Sequence, residues 1–196
     1  MSTRDHILNA VLKNQPPATA LPDISMFAGD VEDVVQKYIH VFNKMGGTAC
    51  VVYNWDEIAS RISAEYDTTK RVVTSLPALA AHYEMICPAV DPHTYEDVEV
   101  AVIKAHFGVA ENGAVWLTEE LMVQRIIPYI CQHLAVIITA ESIVPTLHEA
   151  YEIIGEGSYG FGGFVAGPSK TADIEQALVL GAHGSLSMTV FILREQ

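Results

Sequence analysis

The segment His133–Thr139 (HLAVIIT) is the feature that most restricts how this chain can fold. Its apolar residues follow one another without the polar alternation of a strand that has one face in water. A continuous apolar run is typical of a strand inside a parallel sheet, because helices cover both faces of such a sheet. The run is also far shorter than the roughly 18 residues that a membrane span needs. We therefore predict a buried central strand here.

Helical and strand-like patterns alternate in the first part of the chain. Residues 30–45 keep the apolar spacing of a helix and end before Gly46, and residues 48–53 (TACVVY) form a short apolar run. Asn54 then begins a second helix, and residues 71–76 form another strand-like run. This alternation predicts an α/β protein in which helices cover a mostly parallel sheet. Further strands are predicted at residues 98–104, 114–118, 164–166 and 188–193.

The chain divides into residues 1–29, a short helix with a linker, and residues 30–196, the α/β domain. Residues 2–14 have the apolar stripe of an amphipathic helix, with Ser2 as its cap. The linker, residues 15–29, contains three prolines and should be irregular. We expect the first helix to lie on its own domain, and packing against a partner is the alternative.

Two helices are predicted in the second half of the chain. Residues 119–129 have a helical pattern that Pro128 interrupts. Residues 142–154 predict a longer helix with Ser142 as its cap and Tyr151 on its inner face.

Loops are predicted for residues 78–94 and for the glycine-rich segment 155–163. The second of these holds five glycines but does not match a phosphate-binding P-loop, because no Gly-Lys-Ser or Gly-Lys-Thr follows. It is either a plain surface loop or a flexible cover over a pocket.

Charge and composition exclude several classes of partner. The chain carries 24 acidic against 11 basic residues, a formal net charge of −13. Nucleic-acid binding requires a basic stripe that displaces phosphate counterions, and none is visible. An anionic membrane surface would repel the chain for the same reason. The expected partners are proteins and small molecules.

The three cysteines, Cys50, Cys87 and Cys131, lie far apart and form no CxxC pair. Together with a polar N-terminus that lacks the apolar core of a signal peptide, they indicate reduced thiols in a cytoplasmic protein. Closely spaced ligands are missing, so we expect this chain to bind no iron–sulfur cluster and no structural zinc.

Residues 167–184 (GPSKTADIEQALVLGAHG) combine glycines with small polar side chains. A predicted strand runs into this segment, which we place at the end of the parallel sheet. Backbone amides, two hydroxyls and a lysine there suit an anionic group such as a carboxylate or phosphate. The same residues fit plain helix capping equally well. The expected ligand contacts are Gly167, Ser169, Lys170, Thr171, Asp173, Gly181 and Gly184.

Two positions could transfer a proton. His183 lies between two glycines that would allow close approach of a substrate, although a lone histidine is more often structural. Glu111 is followed by Asn112 and Gly113, and these three could contact a ligand. The alternative for them is a tight turn with Asn112-Gly113 at its corner.

The C-terminal half resembles the lactate utilization (LUD) domain, and specifically the lactate utilization protein C family. Residues 124–151 (QRIIPYICQHLAVIITAESIVPTLHEAY) and residues 167–184 carry the resemblance. Members usually have Ala-Glu-Thr-Gly-Thr where this chain has AENGA at residues 110–114, and His-Gly-Pro where it has His183-Gly184-Ser185.

The resemblance implies a three-layer α/β/α sandwich similar to the ribose-phosphate isomerase, glucosamine-phosphate deaminase and CoA-transferase group. It also implies a role in oxidising L-lactate to pyruvate beside two iron–sulfur subunits, which would carry the clusters.

Three hypotheses follow. In the first, the chain is the non-iron–sulfur subunit or accessory protein of a lactate-oxidising complex and binds a small carboxylate or phosphate. In the second, it is a stand-alone enzyme acting on a sugar phosphate or an acyl-CoA, with His183 or Glu111 as acid or base. In the third, it is a non-catalytic assembly module.

Overall fold

The computed structural model describes residues 2–17, 19–20, 22–27, 29, 32–171 and 179–194, with only the backbone described at residues 25, 171, 179 and 180. The helices are α1 (Thr3–Lys13), α2 (Val34–Lys44), α3 (Trp55–Glu65), α4 (Glu119–Met122), α5 (Ile127–Ile130) and α6 (Leu147–Ile154). The strands are β1 (Thr48–Val52), β2 (Arg71–Thr74), β3 (Glu84–Met85), β4 (Val98–Lys104), β5 (Phe107–Val109), β6 (Ala114–Thr118), β7 (His133–Thr139), β8 (Ile143–Val144), β9 (Gly162–Val165), β10 (Lys170–Thr171), β11 (Val179–Leu180) and β12 (Ser187–Leu193).

A six-stranded sheet with the order β1-β12-β7-β4-β2-β3 forms the centre of the protein. Each pair of neighbouring strands in this order is parallel. β7 lies between β12 and β4, with Leu134 in register with Met188 on one side and Ala101 on the other. The prediction of a central parallel strand is confirmed, because Leu134–Ile138 are at most 1% exposed.

The side chains of β7 alternate between two apolar layers. Ala135 and Ile137 pack in one cluster with Ile62 of α3. Leu134, Val136 and Ile138 pack in the other cluster, opposite α2 and β6. The predicted three-layer sandwich is therefore present: α3 covers one face of the sheet, and α2 with the inner face of a second sheet covers the other.

The second sheet has four strands in the order β8-β5-β6-β9. β5 and β6 form an antiparallel hairpin whose corner contains Asn112 and Gly113, as the Asn-Gly pair predicts. Leu117 of β6 faces the parallel sheet, whereas Trp116 faces outward and packs with Ala150 of α6.

α1 differs from expectation in its packing. Ser2 caps it as predicted, accepting a hydrogen bond from the Asp5 N–H at 3.2 Å. None of its residues is buried, however, and Ile7 and Leu12 are 57% and 68% exposed. The expectation that this helix lies on its own domain is wrong.

α6 begins later than predicted. Thr146 is its N-cap and accepts from the Glu149 N–H, so the helix starts at Leu147. Ser142 instead ends a 3₁₀ turn, where its hydroxyl donates to the Thr139 carbonyl oxygen. Tyr151, which we expected to face inward, is 60% exposed.

Residues 119–129 form parts of two short helices. α4 ends at Val123, whose φ of 64° takes the backbone out of the helical region. Pro128 then lies in the first turn of α5, where its missing N–H costs nothing, and so it does not interrupt a helix. Within the described part of the chain, no helix is long and apolar enough to cross a bilayer.

The caps of α3 and α1 should contribute differently to stability. Asn54 accepts a hydrogen bond from the Glu57 N–H at 2.8 Å, and α3 buries Ile58, Ala59 and Ile62. Asn54→Ala should therefore lower the free energy of unfolding by about 1 kcal/mol, measured by urea denaturation. Ser2→Ala removes the same kind of bond from a helix that buries none of its residues, so it should leave that free energy unchanged. An equal loss in both variants would contradict the exposed position of α1.

Candidate functional site

Residues 167–184 connect a strand of the second sheet to a strand of the parallel sheet. They follow β9, which belongs to the four-stranded second sheet, and they lead into the amino end of β12 in the parallel sheet. The expectation that they follow a strand of the parallel sheet is therefore wrong. Their own regular structure is the small antiparallel pair of β10 and β11. Asp173 falls outside the described residues, and only the backbone of Thr171 is described.

Ser169 holds the two sides of this segment together. Its N–H donates to the Ser185 carbonyl oxygen at 2.9 Å, and its carbonyl oxygen accepts from the Gly181 N–H at 3.1 Å. Its Oγ accepts from the His183 N–H at 3.3 Å. A Cβ atom on Gly184 would lie 3.3 Å from the Ser169 Cβ, so this side of the loop is tightly packed. The hydroxyl of Ser169 thus has a structural contact in addition to any ligand it could bind.

Lys170 reaches the C-terminal end of α2. Its Nζ donates to the carbonyl oxygen of Met45, the C-cap residue of that helix. A cation is favourable there because the last carbonyl groups of a helix carry partial negative charge. His183 is exposed at the same loop, where its backbone bond to Ser169 positions it.

Glu111, Asn112 and Gly113 make contacts that build the turn and cap a helix. Glu111 Oε2 accepts from the Leu147 N–H at 2.8 Å, at the first residue of α6. Asn112 Oδ1 accepts from the Ala114 N–H at 3.0 Å. Gly113 has a φ of 67°, and its carbonyl oxygen accepts from the buried Tyr38 hydroxyl at 3.2 Å. The contacts of Asn112 and Gly113 are those of the turn alternative, and Glu111 caps α6 in addition.

The two stretches singled out in the sequence meet at Met45. A Cβ atom on Gly113 would lie 3.2 Å from the Met45 Sδ, and one on Gly167 would lie 3.9 Å from the Met45 Cβ. With Lys170 on its carbonyl oxygen, Met45 adjoins three residues of the predicted site. Sequence reasoning missed it, because its only signal is its place before Gly46 at the end of an amphipathic helix.

A cavity of about 590 Å³ lies elsewhere, between the end of α6 and the outer face of the second sheet. Its size is within the usual range of small-molecule sites. The glycine-rich loop forms part of its wall. The lining residues are His106, Phe107, Trp116, Thr118, Glu119, Glu120, Ile153, Ile154, Gly157, Ser158, Tyr159 and Gly160.

His106 is the titratable residue of this cavity with a hydrogen-bonded partner in its wall. It lies just beyond the carboxyl end of β4, and its Nε2 is 2.8 Å from the Thr118 Oγ1. Desolvation lowers the pKa of His106, and Lys104 lowers it further, whereas Glu120 acts in the opposite direction. The neutral imidazole is therefore favoured. Its place after a parallel strand is the one signal that could have identified it from sequence.

Gly160 lets the loop approach α4 closely. A Cβ atom at this position would lie 2.0 Å from the Glu119 Oε1. The carboxylate of Glu119 is in turn paired with Arg125, 2.6 Å from its Nη2. Gly160 thus has a packing reason. Among the residues that the structure describes, no group of three or more His, Cys, Asp or Glu side chains is arranged to hold a metal ion.

The contact of Glu111 gives a stability prediction. Glu111→Ala removes the acceptor of the Leu147 N–H and should lower the free energy of unfolding by about 1 kcal/mol, measured by urea denaturation. Glu111→Gln keeps an oxygen acceptor and should lose less. If Glu111→Ala unfolded at the same urea midpoint as the wild-type chain, the bond to Leu147 would make no contribution to stability.

The environment of His106 gives a pH prediction. In an NMR titration its pKa should lie below 6.5, the ordinary value for histidine. Glu120→Gln should lower the pKa further, and Lys104→Gln should raise it, because each change removes one charge that acts on the ring. The unfolded chain binds this proton more tightly than the folded chain does. The contribution of His106 to the free energy of unfolding should therefore fall as the pH drops below 6.5. A pKa at or above 6.5 would contradict the desolvation.

Comparison with known proteins places this fold among solved structures. It is similar to the crystal structure of a DUF162 family protein from Deinococcus radiodurans, with a TM-score of 0.63 and 15% sequence identity. The match covers 83% of this chain and 97% of that one. At this identity the likeness concerns the fold alone.

Several curated relatives are named lactate utilization protein C. The protein from Bacillus pumilus is 28% identical over 130 residues, which is 63% of this chain and 52% of the relative. The protein from Geobacillus kaustophilus is 26% identical over 142 residues, 68% of this chain and 59% of the relative. Lactate utilization protein C 1 from Bacillus mycoides is 33% identical over 94 residues, 45% of this chain and 40% of the relative.

The chain thus spans about half the length of the curated relatives it matches. The LUD domain matches residues 93–193, more than half of the chain, and this range includes the cavity and both stretches at Met45. The sequence resemblance is confirmed, and the chain belongs to the LUD domain family.

Proposed function

We propose that this protein acts in lactate utilization, as the subunit without an iron–sulfur cluster in a complex that oxidises L-lactate to pyruvate. The observation that carries the proposal is the LUD domain match, taken with the curated relatives named lactate utilization protein C. Oxidation of lactate to pyruvate releases two electrons and two protons. Iron–sulfur partner proteins would take the electrons, and this chain would supply binding and orientation.

The ligand of this chain would be a small carboxylate or phosphate held by the loop that begins at Gly167. The chemistry of Lys170 supports this choice. An ammonium group has three N–H donors, and the Met45 carbonyl oxygen takes one of them. Two donors of an exposed side chain therefore remain for an anion.

A second candidate is a pure assembly role, and α1 favours it. The apolar side chains of this helix are exposed, and they would gain most from burial against a partner. Both candidates require a complex, but only the first requires a ligand at Lys170.

Growth of the source cells tests the proposal. Deleting the gene should abolish growth on L-lactate and leave growth on pyruvate unchanged, because pyruvate bypasses the oxidation. The tagged chain, purified from lactate-grown cells, should bring down iron–sulfur proteins together with lactate-dependent dye reduction. Normal growth on L-lactate without the gene would overturn the proposal.

Two variants separate the candidates. Lys170→Gln should keep the co-purified partners and lose lactate-dependent dye reduction if an anion binds at this lysine. Leu8→Ser with Leu12→Ser should lose the partners if α1 is the contact. Turnover of a sugar phosphate by the purified chain alone would instead favour a stand-alone enzyme.

A further inference from the structure

The cavity beneath the glycine-rich loop has a different chemistry from the loop at Gly167. Its floor is aromatic: Phe107 and Trp116 are 4% and 8% exposed and face outward from the second sheet. Tyr159 stands edge-on to Trp116, with ring centroids 5.4 Å apart and an interplanar angle of 81°. Tyr159 is 45% exposed and adds accessible aromatic surface to the cavity wall.

The charged groups of the cavity are acidic. Glu119 is neutralised by its ion pair with Arg125. Glu120 is exposed and has no hydrogen bond or ion pair with any described residue, although its field acts on His106. The described residues of the lining include no lysine or arginine, and His106 favours its neutral form.

We propose that this cavity binds an organic cation, an amine or ammonium group carried on an apolar or aromatic body. The body would lie against Phe107 and Trp116, and the positive charge would lie between the Glu120 carboxylate and the aromatic rings. A cation is attracted to the faces of Trp and Tyr rings and to a nearby carboxylate. The Glu120 carboxylate would repel an anion such as lactate, and the described lining holds no lysine or arginine to offset that repulsion. The site is thus separate from the anion site proposed at Lys170.

Intrinsic fluorescence can report on this cavity alone. The chain has two tryptophans, Trp55 on α3 and Trp116 in the cavity floor, so Trp55→Phe leaves a single reporter. Three probes share one ring and differ in charge: benzylammonium, benzyl alcohol and benzoate. Benzylammonium should shift or quench the Trp116 emission at concentrations about tenfold lower than benzyl alcohol, which corresponds to about 1.4 kcal/mol. Benzoate should bind more weakly than either.

A matched pair of substitutions assigns the charge. Glu120→Gln should reduce the preference for benzylammonium over benzyl alcohol severalfold and leave the affinity for benzyl alcohol unchanged. Glu96→Gln, which removes an exposed carboxylate outside the cavity lining, should leave all three affinities as they were. The change expected for Glu120 distinguishes a local contact from the overall charge of −13.

The indole N–H signal of Trp116 in the unsubstituted chain gives a second readout if Trp55→Phe does not fold. This signal is assigned by its absence in Trp116→Phe, and it should move with benzylammonium. The proposal would be overturned if benzoate bound as tightly as benzylammonium or more tightly. It would also be overturned if no probe gave a response at 50-fold molar excess over about 1 mM protein. Loss of lactate-dependent dye reduction in Lys170→Gln, with an unchanged response of Trp116 to benzylammonium, would show that the two sites are independent.

Discussion

The burial of β7 on both faces is the constraint on which the rest of the structure depends. Each face of this strand needs its own apolar layer, since backbone polar groups are satisfied by neighbouring strands and side chains alone decide what covers the sheet. α3 supplies one layer. On the other face, α2 shares the task with β6, which places the second sheet against the first. The outer face of that second sheet is then left for α6, and the cavity lies where α6 ends.

The sequence was most informative where burial is complete on both faces. β4, β6 and β7 have the predicted bounds, because their apolar runs leave no other register. Short strands such as β5 and β8 were missed, since two or three residues carry no period and form only because a neighbouring strand offers hydrogen bonds. The start of α6 was misplaced for a similar reason. Ser142 and Thr146 are both good caps, and the pairing of β8 with β5 decides between them.

Sequence patterns were less informative for the candidate site than for the buried strands. The stretches at Glu111 and Ser169 stood out for their hydrogen-bonding residues, and the structure uses those groups to cap α6 and to close a loop. Polar side chains in turns satisfy the backbone first, so composition alone cannot separate a ligand contact from a turn contact. His106 and Glu120 had no such pattern around them. They are brought together with Trp116 by the hairpin of β5 and β6, which no local spacing reveals.

Met45 has a consequence for how this family can vary. Its side chain lies within van der Waals reach of the space above Gly113 and of that above Gly167, while its backbone receives Lys170. A Cβ atom at residue 113 would meet the Met45 Sδ, so a larger residue there would require Met45 or the α2–β1 turn to move. Gly113 and Gly167 also have φ of 67° and 83°, a region that favours glycine. Related sequences should therefore keep glycine at both positions even where residue 45 is smaller.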